Sequence, residues 1–335
     1  MLISICTCLG ARTKSGKKKL LLACALALYA TAATGAESFP TKAIRIIGIA
    51  TAGSPSDVIG RAVADPLSRQ FGQPVVVENR PGAGGTIAAG VVARSEPDGH
   101  TVLLTSSAQS GMPWLYGNLG FDPIRDFAGV TPLVSLPNVL VAPPQRGWNT
   151  LRDLVAAAKA QPRALNFGSG GTGSGTHLNS EKFMLAAGIT ANHVPYKGTA
   201  EGVVEVIAGR LDWFYSPAAA VIALIKDGRL KGLTVSSKAR MSLLPDVPTV
   251  AEAGYAEAEY VFWIGIMVPR KTPRPAINRL NEETLAILRS PAMRERVQQI
   301  GAEAFPLRPG EFDAFLAADA EATGRIVKAA NIKPQ

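Results

Sequence analysis

Short β-branched runs alternate with helical patterns along the chain from Thr41 onward, and that alternation admits few folds. Strand candidates are Ile44 to Ile47, Val75 to Glu78, Thr101 to Thr105, Gly129 to Val134, Leu165 to Phe167, Leu211 to Tyr215 and Leu233 to Val235. Helical patterns lie between most of them, which predicts an α/β protein whose parallel sheets carry helices on both faces. Ligands of such sheets bind beyond the carboxyl ends of the strands. Function should therefore concentrate in the segments that follow each strand.

The run Gly168 to His177, GSGGTGSGTH, is the most distinctive of these segments. Its glycines let the backbone approach a ligand closely, and Ser169, Thr172, Ser174 and Thr176 add hydroxyl donors beside Gly170 and Gly173. Apolar residues at Leu178, Phe183, Met184 and Ala187 predict a helix after it. The run would then end where free N–H groups and the positive end of a helix dipole favour a carboxylate or phosphate. Taken alone, the same run is also compatible with a flexible turn.

Similar loops follow the other strands. Ala50-Thr51-Ala52-Gly53-Ser54-Pro55-Ser56-Asp57 leads from the first strand into a helical pattern, within which Pro66 should kink or divide the helix. Asp57 is expected to cap that helix, by accepting early helix N–H groups, or to accept from a ligand. Asn79 to Thr86 follows the second strand, and its Arg80 reads as a brace for a tight loop. The third strand ends in the small hydroxyls Thr105, Ser106 and Ser107.

The first residues read as an export signal. Arg12, Lys14, Lys17, Lys18 and Lys19 form a basic region, Leu20 to Ala33 an apolar core, and Thr34-Gly35-Ala36 a small-residue cleavage site. An apolar core this short argues against a spanning helix, which needs about 20 residues. Cys24 lies inside that core rather than after it, which argues against lipidation. Cys6, Cys8 and Cys24 all fall in this leader, so the mature chain would have no disulfide or thiol chemistry. Cleavage would also remove five basic residues and no acid from a chain of net charge +9, and the small remainder does not point to nucleic acid. Roughly 300 residues would remain, enough for two α/β domains with separate cores.

In this order, ATAGSPSD, VVVENRPGAGG, EPDGHTVLLTSS, LNFGSGGTGSGTH, HVPYKGT and LLPDVPTVAEAG resemble the Bug-type (TctC-like) periplasmic receptors of tripartite tricarboxylate transport systems. The resemblance covers roughly Phe39 to Lys333. It implies a two-lobed periplasmic-binding-protein fold of the Venus flytrap type II, with a carboxylate held between the loop Thr51 to Asp57 and the loop Ser169 to His177. It also implies backbone N–H groups, small hydroxyls and water as the carboxylate's partners, and a membrane transporter or a sensor as the receptor's own. The chain departs from the family where Ile49 and Ala50 replace a usual Pro-Phe, where Ser54 replaces a glycine, and where Leu211 to Tyr215 runs into Ser216-Pro217. Those departures imply a roomier first pocket and a more apolar distal one.

Two lobes require two passages of the chain between them, and the apolar runs Asn138 to Ala142 and Phe262 to Val268 are the candidate hinge strands. The expected organisation is a signal peptide at 1–36, one lobe of 39–138 plus 268–335, and another of 139–267. In the second lobe Tyr196, Tyr215 and Ser216 are pocket candidates, Lys197 reads as a solvated lysine, and Asp212 as a structural acceptor. The competing class is an exported α/β enzyme or a dinucleotide-binding oxidoreductase, because Gly168 to Gly173 matches GxGxxG. That fingerprint expects an acid about 20 residues on, and Gly188 to Lys197 contains none. No GxSxG or HExxH spacing accompanies His100, His177 and His193. The expectation is a monomeric, periplasmic, non-catalytic receptor for a small organic carboxylate, with no metal or cofactor.

Overall fold

A computed structural model of the chain describes residues 39–196 and 198–334. The leader and Lys197 lie outside the described residues. By its internal contacts the chain divides into Met1–Thr41 and Lys42–Gln335. The first unit is described only over 39–41, where the Phe39-Pro40 peptide is cis. The fold is that of the second.

Two sheets organise it. The first is six-stranded, in the order β11-β4-β10-β3-β1-β2, from β1 (Ile44–Gly48), β2 (Val75–Asn79), β3 (Thr101–Ser106), β4 (Phe127–Leu136), β10 (Phe262–Pro269) and β11 (Glu303–Ala304). The second is five-stranded, in the order β7-β6-β8-β5-β9, from β5 (Asn138–Ala142), β6 (Asn166–Ser169), β7 (Asn192–Pro195), β8 (Trp213–Pro217) and β9 (Lys231–Val235). Neither sheet is purely parallel. In the first, β1 pairs parallel with β2 and β3, while β10 runs antiparallel to β3 and β4. In the second, β6 pairs parallel with β7 and β8, while β5 runs antiparallel to β8 and β9. The expected parallel sheets are therefore mixed, because each passage of the chain enters its new sheet against the direction of the parallel strands.

The two sheets share one plan. Each has three parallel strands, flanked on one side by an antiparallel strand. The middle strand of the triplet, β1 or β6, carries one of the two small-residue loops. The loop after β1 opens α1 (Pro55–Phe71), and the loop after β6 opens α5 (Gly175–Ala187). Between them lie α2 (Thr86–Ala93), α3 (Ala108–Leu115) and α4 (Leu151–Ala160). After β7 come α6 (Thr199–Ile207) and α7 (Ala218–Lys226), and after β10 come α8 (Arg274–Arg289), α9 (Pro291–Gln299) and α10 (Pro309–Ala329). Pro66 does not divide α1, which runs on to Phe71 and stops at Gly72 in the left-handed region.

Period-2 alternation divides the core of the second sheet between its faces. Leu140, Trp213 and Tyr215 pack on one face with Phe183 of α5, while Val139, Val141 and Phe214 pack on the other with Val203 and Val221. The first sheet buries Ile47, Leu103, Trp263 and Met267 under Phe312 and Leu316 of α10. Burying side chains of this size contributes about 1.5–3 kcal/mol each.

The chain first passes between sheets at Pro137, where β4 ends and β5 begins. Its return lies before Phe262, because all of β10 pairs within the six-stranded sheet. By sheet membership the boundary expected at 267/268 thus moves to the segment before Phe262. Tyr260 N–H donates to Ser236 O, and Ser236 N–H donates to Asn138 O, so the two passages are tied side by side. A further apolar cluster joins Leu115, Tyr260, Ile326 and Val327 to Leu178 of α5.

Candidate functional site

The two loops are built alike. Gly53 takes φ 78° and Gly173 φ 75°, a backbone region that L side chains rarely adopt, so glycine is required at both. The next residue, Ser54 or Ser174, is the N-cap. Its hydroxyl accepts the N–H of the residue three further on, Asp57 or His177, at 3.3 Å in each case. The side chain of that residue reaches back to accept the glycine N–H, at 2.9 Å for Asp57 Oδ2 and Gly53, and at 3.0 Å for His177 Nδ1 and Gly173. Each is a reciprocal capping box displaced one residue outward. Asp57 therefore holds the loop's N–H rather than the early helix N–H groups expected of it.

The two caps differ in charge. Asp57 is buried and also accepts from Arg61 Nε and Asn79 Nδ2, at 2.9 and 2.7 Å. Burial pushes its carboxyl up, but the hydrogen bonds from Gly53, Asn79 and Arg61 outweigh burial and hold it below the usual carboxylate range. An ionised Asp57 thus already compensates the α1 dipole. His177 cannot do the same for α5. A backbone N–H can only donate, so the bond from Gly173 requires a lone pair on Nδ1 and a neutral ring whose Nε2–H lies 3.3 Å from Glu181 Oε1. The α5 end is left with an uncompensated positive dipole.

Much of the glycine loop's donor capacity is spent internally. Gly170 N–H donates to Thr176 Oγ1, Gly171 N–H to Ser169 Oγ, and Ser174 N–H to Gly171 O. Ser169 is fully buried, and Ser174 and Thr176 hydroxyls lie 3.0 Å apart. Thr172 is exposed. Among the described residues no protein acceptor faces the N–H groups of Gly175 and Thr176 on the second loop, or of Ala52 and Ser56 on the first. These are the donors an incoming anion would meet. Ala50 and Ser54 are half-buried, and Thr51, Ala52 and Gly53 exposed.

Ser106 and Ser107, at the end of β3, lie beside both loops. β3 neighbours β1, and Ile49 N–H donates to Leu104 O. On the other side, a Cβ added at Gly175 would stand 3.7 Å from Ser107 Oγ, which is buried. That Cβ would also be 2.6 Å from Phe262, and one at Gly173 would be 2.7 Å from Leu115. The glycine loop of the five-stranded sheet is therefore pressed onto side chains belonging to the six-stranded one.

Two other expected contacts, Tyr215 and Ser216, lie in the core, while Tyr196 stays at the glycine loop. Tyr215 is fully buried in the core with Phe183 and Trp213, and Ser216 is fully buried beside it. Tyr196 is half-buried and its N–H donates to Ser169 O. Arg80 lies 3.7 Å from Glu78, and Asp212 accepts from Asn166 N–H while pairing with Arg146. Asn79, Phe262 and His193 also belong to the loop surroundings. Nothing local marks them: Asn79 reaches Asp57 through the β1–β2 register, and His193 reaches the loop because it pairs with Phe167 across β6 and β7. Two of the cavities have no residue of either loop in their lining. One of about 230 Å³ lies between Met241–Leu243 and the turn after α9, and one of about 180 Å³ lies behind Pro137 and Tyr260. Unsatisfied donors at helix ends place the candidate site at the loops rather than in either cavity.

Comparison with known proteins follows the same lines. Residues 59–332 match the tripartite tricarboxylate transporter family receptor, TctC. Protein BugT of Bordetella pertussis is 33% identical over 305 residues, 90% of this chain and 93% of the relative. Among solved structures, R. palustris Rpa4515 with adipate superposes with a TM-score of 0.77 at 30% identity, covering 89% of this chain and 100% of that one. MatC (Rpa3494) from Rhodopseudomonas palustris with bound malate gives 0.72 at 26% identity, covering 86% and 100%.

Proposed function

The chain belongs to the tripartite tricarboxylate transporter receptor family, and on that footing we propose that it is an exported, periplasmic receptor that passes a captured carboxylate to a membrane transporter or a sensor. It is a carboxylate-binding solute receptor with the two-lobed periplasmic-binding-protein fold. One lobe is built on the six-stranded sheet and the other on the five-stranded sheet, with the passages at Pro137 and before Phe262 as the hinge.

One observation carries the reading of the site. Two loops of the same construction end at helix N-termini whose Ser56, Gly175 and Thr176 N–H groups have no acceptor among the described residues. Because Asp57 occupies the first terminus and a neutral ring the second, a carboxylate gains most at α5. The first loop adds the Ala52 and Ser56 N–H groups and the Thr51 hydroxyl as the lobes close. Neutral donors in a desolvated cleft hold an anion without an arginine clamp. Closure follows only if the ligand binds the closed form more tightly. Rpa4515 with adipate and MatC with malate make dicarboxylates the first ligands to try. The receptor acts as a monomer and catalyses nothing. A dinucleotide at Gly168 is disfavoured, because the Gly170, Gly171 and Gly173 N–H groups that would meet a pyrophosphate are already bonded within the loop.

A thermal-shift screen of the chain from Glu37, refolded to strip carried ligand, tests this. Ligand at about 100 times its Kd adds roughly 2.7 kcal/mol. A raised melting temperature with adipate, malate or another acid, absent with the matched amide, supports the receptor. A shift with nicotinamide dinucleotides alone overturns it.

A further inference from the structure

Beneath the glycine loop two imidazoles are stacked face to face. His177 of α5 and His193 of β7 have ring centroids 3.8 Å apart and planes 7° from parallel. Phe167 continues the stack at 5.0 Å from His193, and Trp213 lies 4.9 Å beyond Phe167. Each histidine grips a different point of the loop. His177 Nδ1 accepts the Gly173 N–H. His193 Nε2 lies 2.6 Å from Ser169 Oγ, which in turn bonds both the N–H and the carbonyl of Gly171.

From this arrangement we infer that the His177–His193 pair is the positioning device of the glycine loop and makes anion capture acid-sensitive, the loop being released when His177 takes a proton on Nδ1. The inference rests on the carboxylate-receptor reading and adds a regulation to it. A proton on Nδ1 faces the Gly173 N–H, so the bond becomes a clash of two donors. The loop then loses the contact that fixes Gly173 in its left-handed conformation. The Ser169 grip is different in kind: its one hydroxyl proton goes to Gly171 O, so it accepts from His193 Nε2–H, a donor present in both the neutral Nε2–H tautomer and the charged ring. Two imidazolium rings at this separation repel, so the pair holds one proton at most over the range concerned.

Among the described residues the acid that meets the pair is Glu181, one turn along α5, whose Oε1 lies 3.3 Å from His177 Nε2. Strands β6 and β8 contribute Phe167, Ser169 and Trp213, none of which ionises in this range. Burial and the neighbouring His177 lower the pKa of His193 to about 4, which keeps that ring neutral. The first loop has no such switch. Its equivalent residue, Asp57, is held below the usual carboxylate range and keeps Gly53 bound well into acid.

The test uses the chain from Glu37, labelled with ¹⁵N and free of ligand, between pH 7.5 and 5. The His177 ring nitrogens should start as the Nε2–H tautomer, and the Gly173 amide should titrate with them while the Gly53 amide stays fixed. In parallel, adipate and malate are titrated against the wild type and His177→Asn, whose amide oxygen can accept the Gly173 N–H without titrating. Ligand ionisation affects both proteins equally. The wild type should lose roughly tenfold more affinity than the variant across that range, the worth of about one hydrogen bond. A Gly173 amide that ignores His177 titration, or a constant ratio of the two affinities, overturns the inference. Should neither acid bind at pH 7.5, the receptor reading fails with these probes, and the Gly173 and His177 resonances still decide the positioning role. Should His177→Asn not fold, the same resonances in the wild type decide it.

Discussion

Gly175 is the first residue of α5 and the point where the glycine loop meets the other lobe, which makes Gly175→Ala a sharp perturbation. The added methyl would stand 2.6 Å from Phe262 Cδ2 and 3.0 Å from Cε2, well inside ordinary carbon contact. Phe262 opens β10 and is half-buried, so relief requires its ring to turn or the lobes to separate. Overpacking of this kind costs about 1–3 kcal/mol, which corresponds to roughly 5- to 150-fold in affinity if the contact forms on closure. Alanine is a better helix former than glycine here, and stiffening the unfolded chain contributes about 0.4–1 kcal/mol of stability whether the lobes are open or closed. The expected result is therefore a weaker carboxylate with an unchanged or slightly raised Tm. Calorimetric titration and a ligand-free melt read the two effects separately. Gly310→Ala, in the first turn of α10 with open space around its Cβ, is the control and should leave affinity unchanged while showing the same slight rise in Tm. Were Gly175→Ala to leave both affinity and Tm at wild-type values, Phe262 would not press on the loop and the closure argument would fail. A lower Tm with unchanged affinity would mean that the contact persists in the open form.

Further outcomes follow from other parts of the structure. Gly265→Ala places a methyl 2.9 Å from Pro132 Cα and 3.1 Å from Thr131 O, backbone that cannot swing aside, so a melt should show about 1–3 kcal/mol lost. Asp57 has a depressed carboxyl pKa, so its contribution is present above the unfolded value and lost as pH falls through the folded one. Asp57→Asn should accordingly flatten the acid limb of stability below roughly pH 4, read by denaturant melts at several pH values. His193 is a base with a lowered pKa, so its contribution is complete above 6.5 and declines as pH falls towards about 4. His193→Phe, which preserves the ring stack, should flatten the stability profile across that window. Asp319→Leu strands Trp263 Nε1 and Ser110 Oγ, which now donate to the Asp319 carboxylate at 2.9 and 2.6 Å. Each orphaned group costs about 1–3 kcal/mol, and the loss appears directly in a melt.

The alternation of β-branched runs and helices located most strands, and the small residues after β1, β3 and β6 located the loops. What local pattern could not convey was the direction of β5 and β10. Their apolar runs read the same in either direction, and only the passage at Pro137 and the return before Phe262 make them antiparallel to their neighbours. The N-cap roles of Ser54 and Ser174 went unread, although a serine before a helical pattern is a capping signal. The roles of Asp57 and His177 were half legible, since spacing puts each at the right position but does not reveal that each turns back to a glycine N–H. Tyr215 shows the opposite limit. It lies at a strand's carboxyl end, where a pocket residue is expected, yet the alternation of β8 turns it into the core with Trp213. His193 could not be found from its neighbours in the chain, because its partners Ser169 and His177 come from β6 and α5.

The central claim is that two loops of one construction hold a single carboxylate. Amide chemical-shift mapping of the ¹⁵N-labelled, refolded chain tests it most directly, with the acid that raises the melting temperature titrated beside its amide. The resonances of Ala52 and Ser56 on the first loop should move together with those of Gly175 and Thr176 on the second, saturating at one common ligand concentration. The amide compound should leave them in place. Shifts confined to one loop, or saturating at different concentrations on the two, would contradict a shared site.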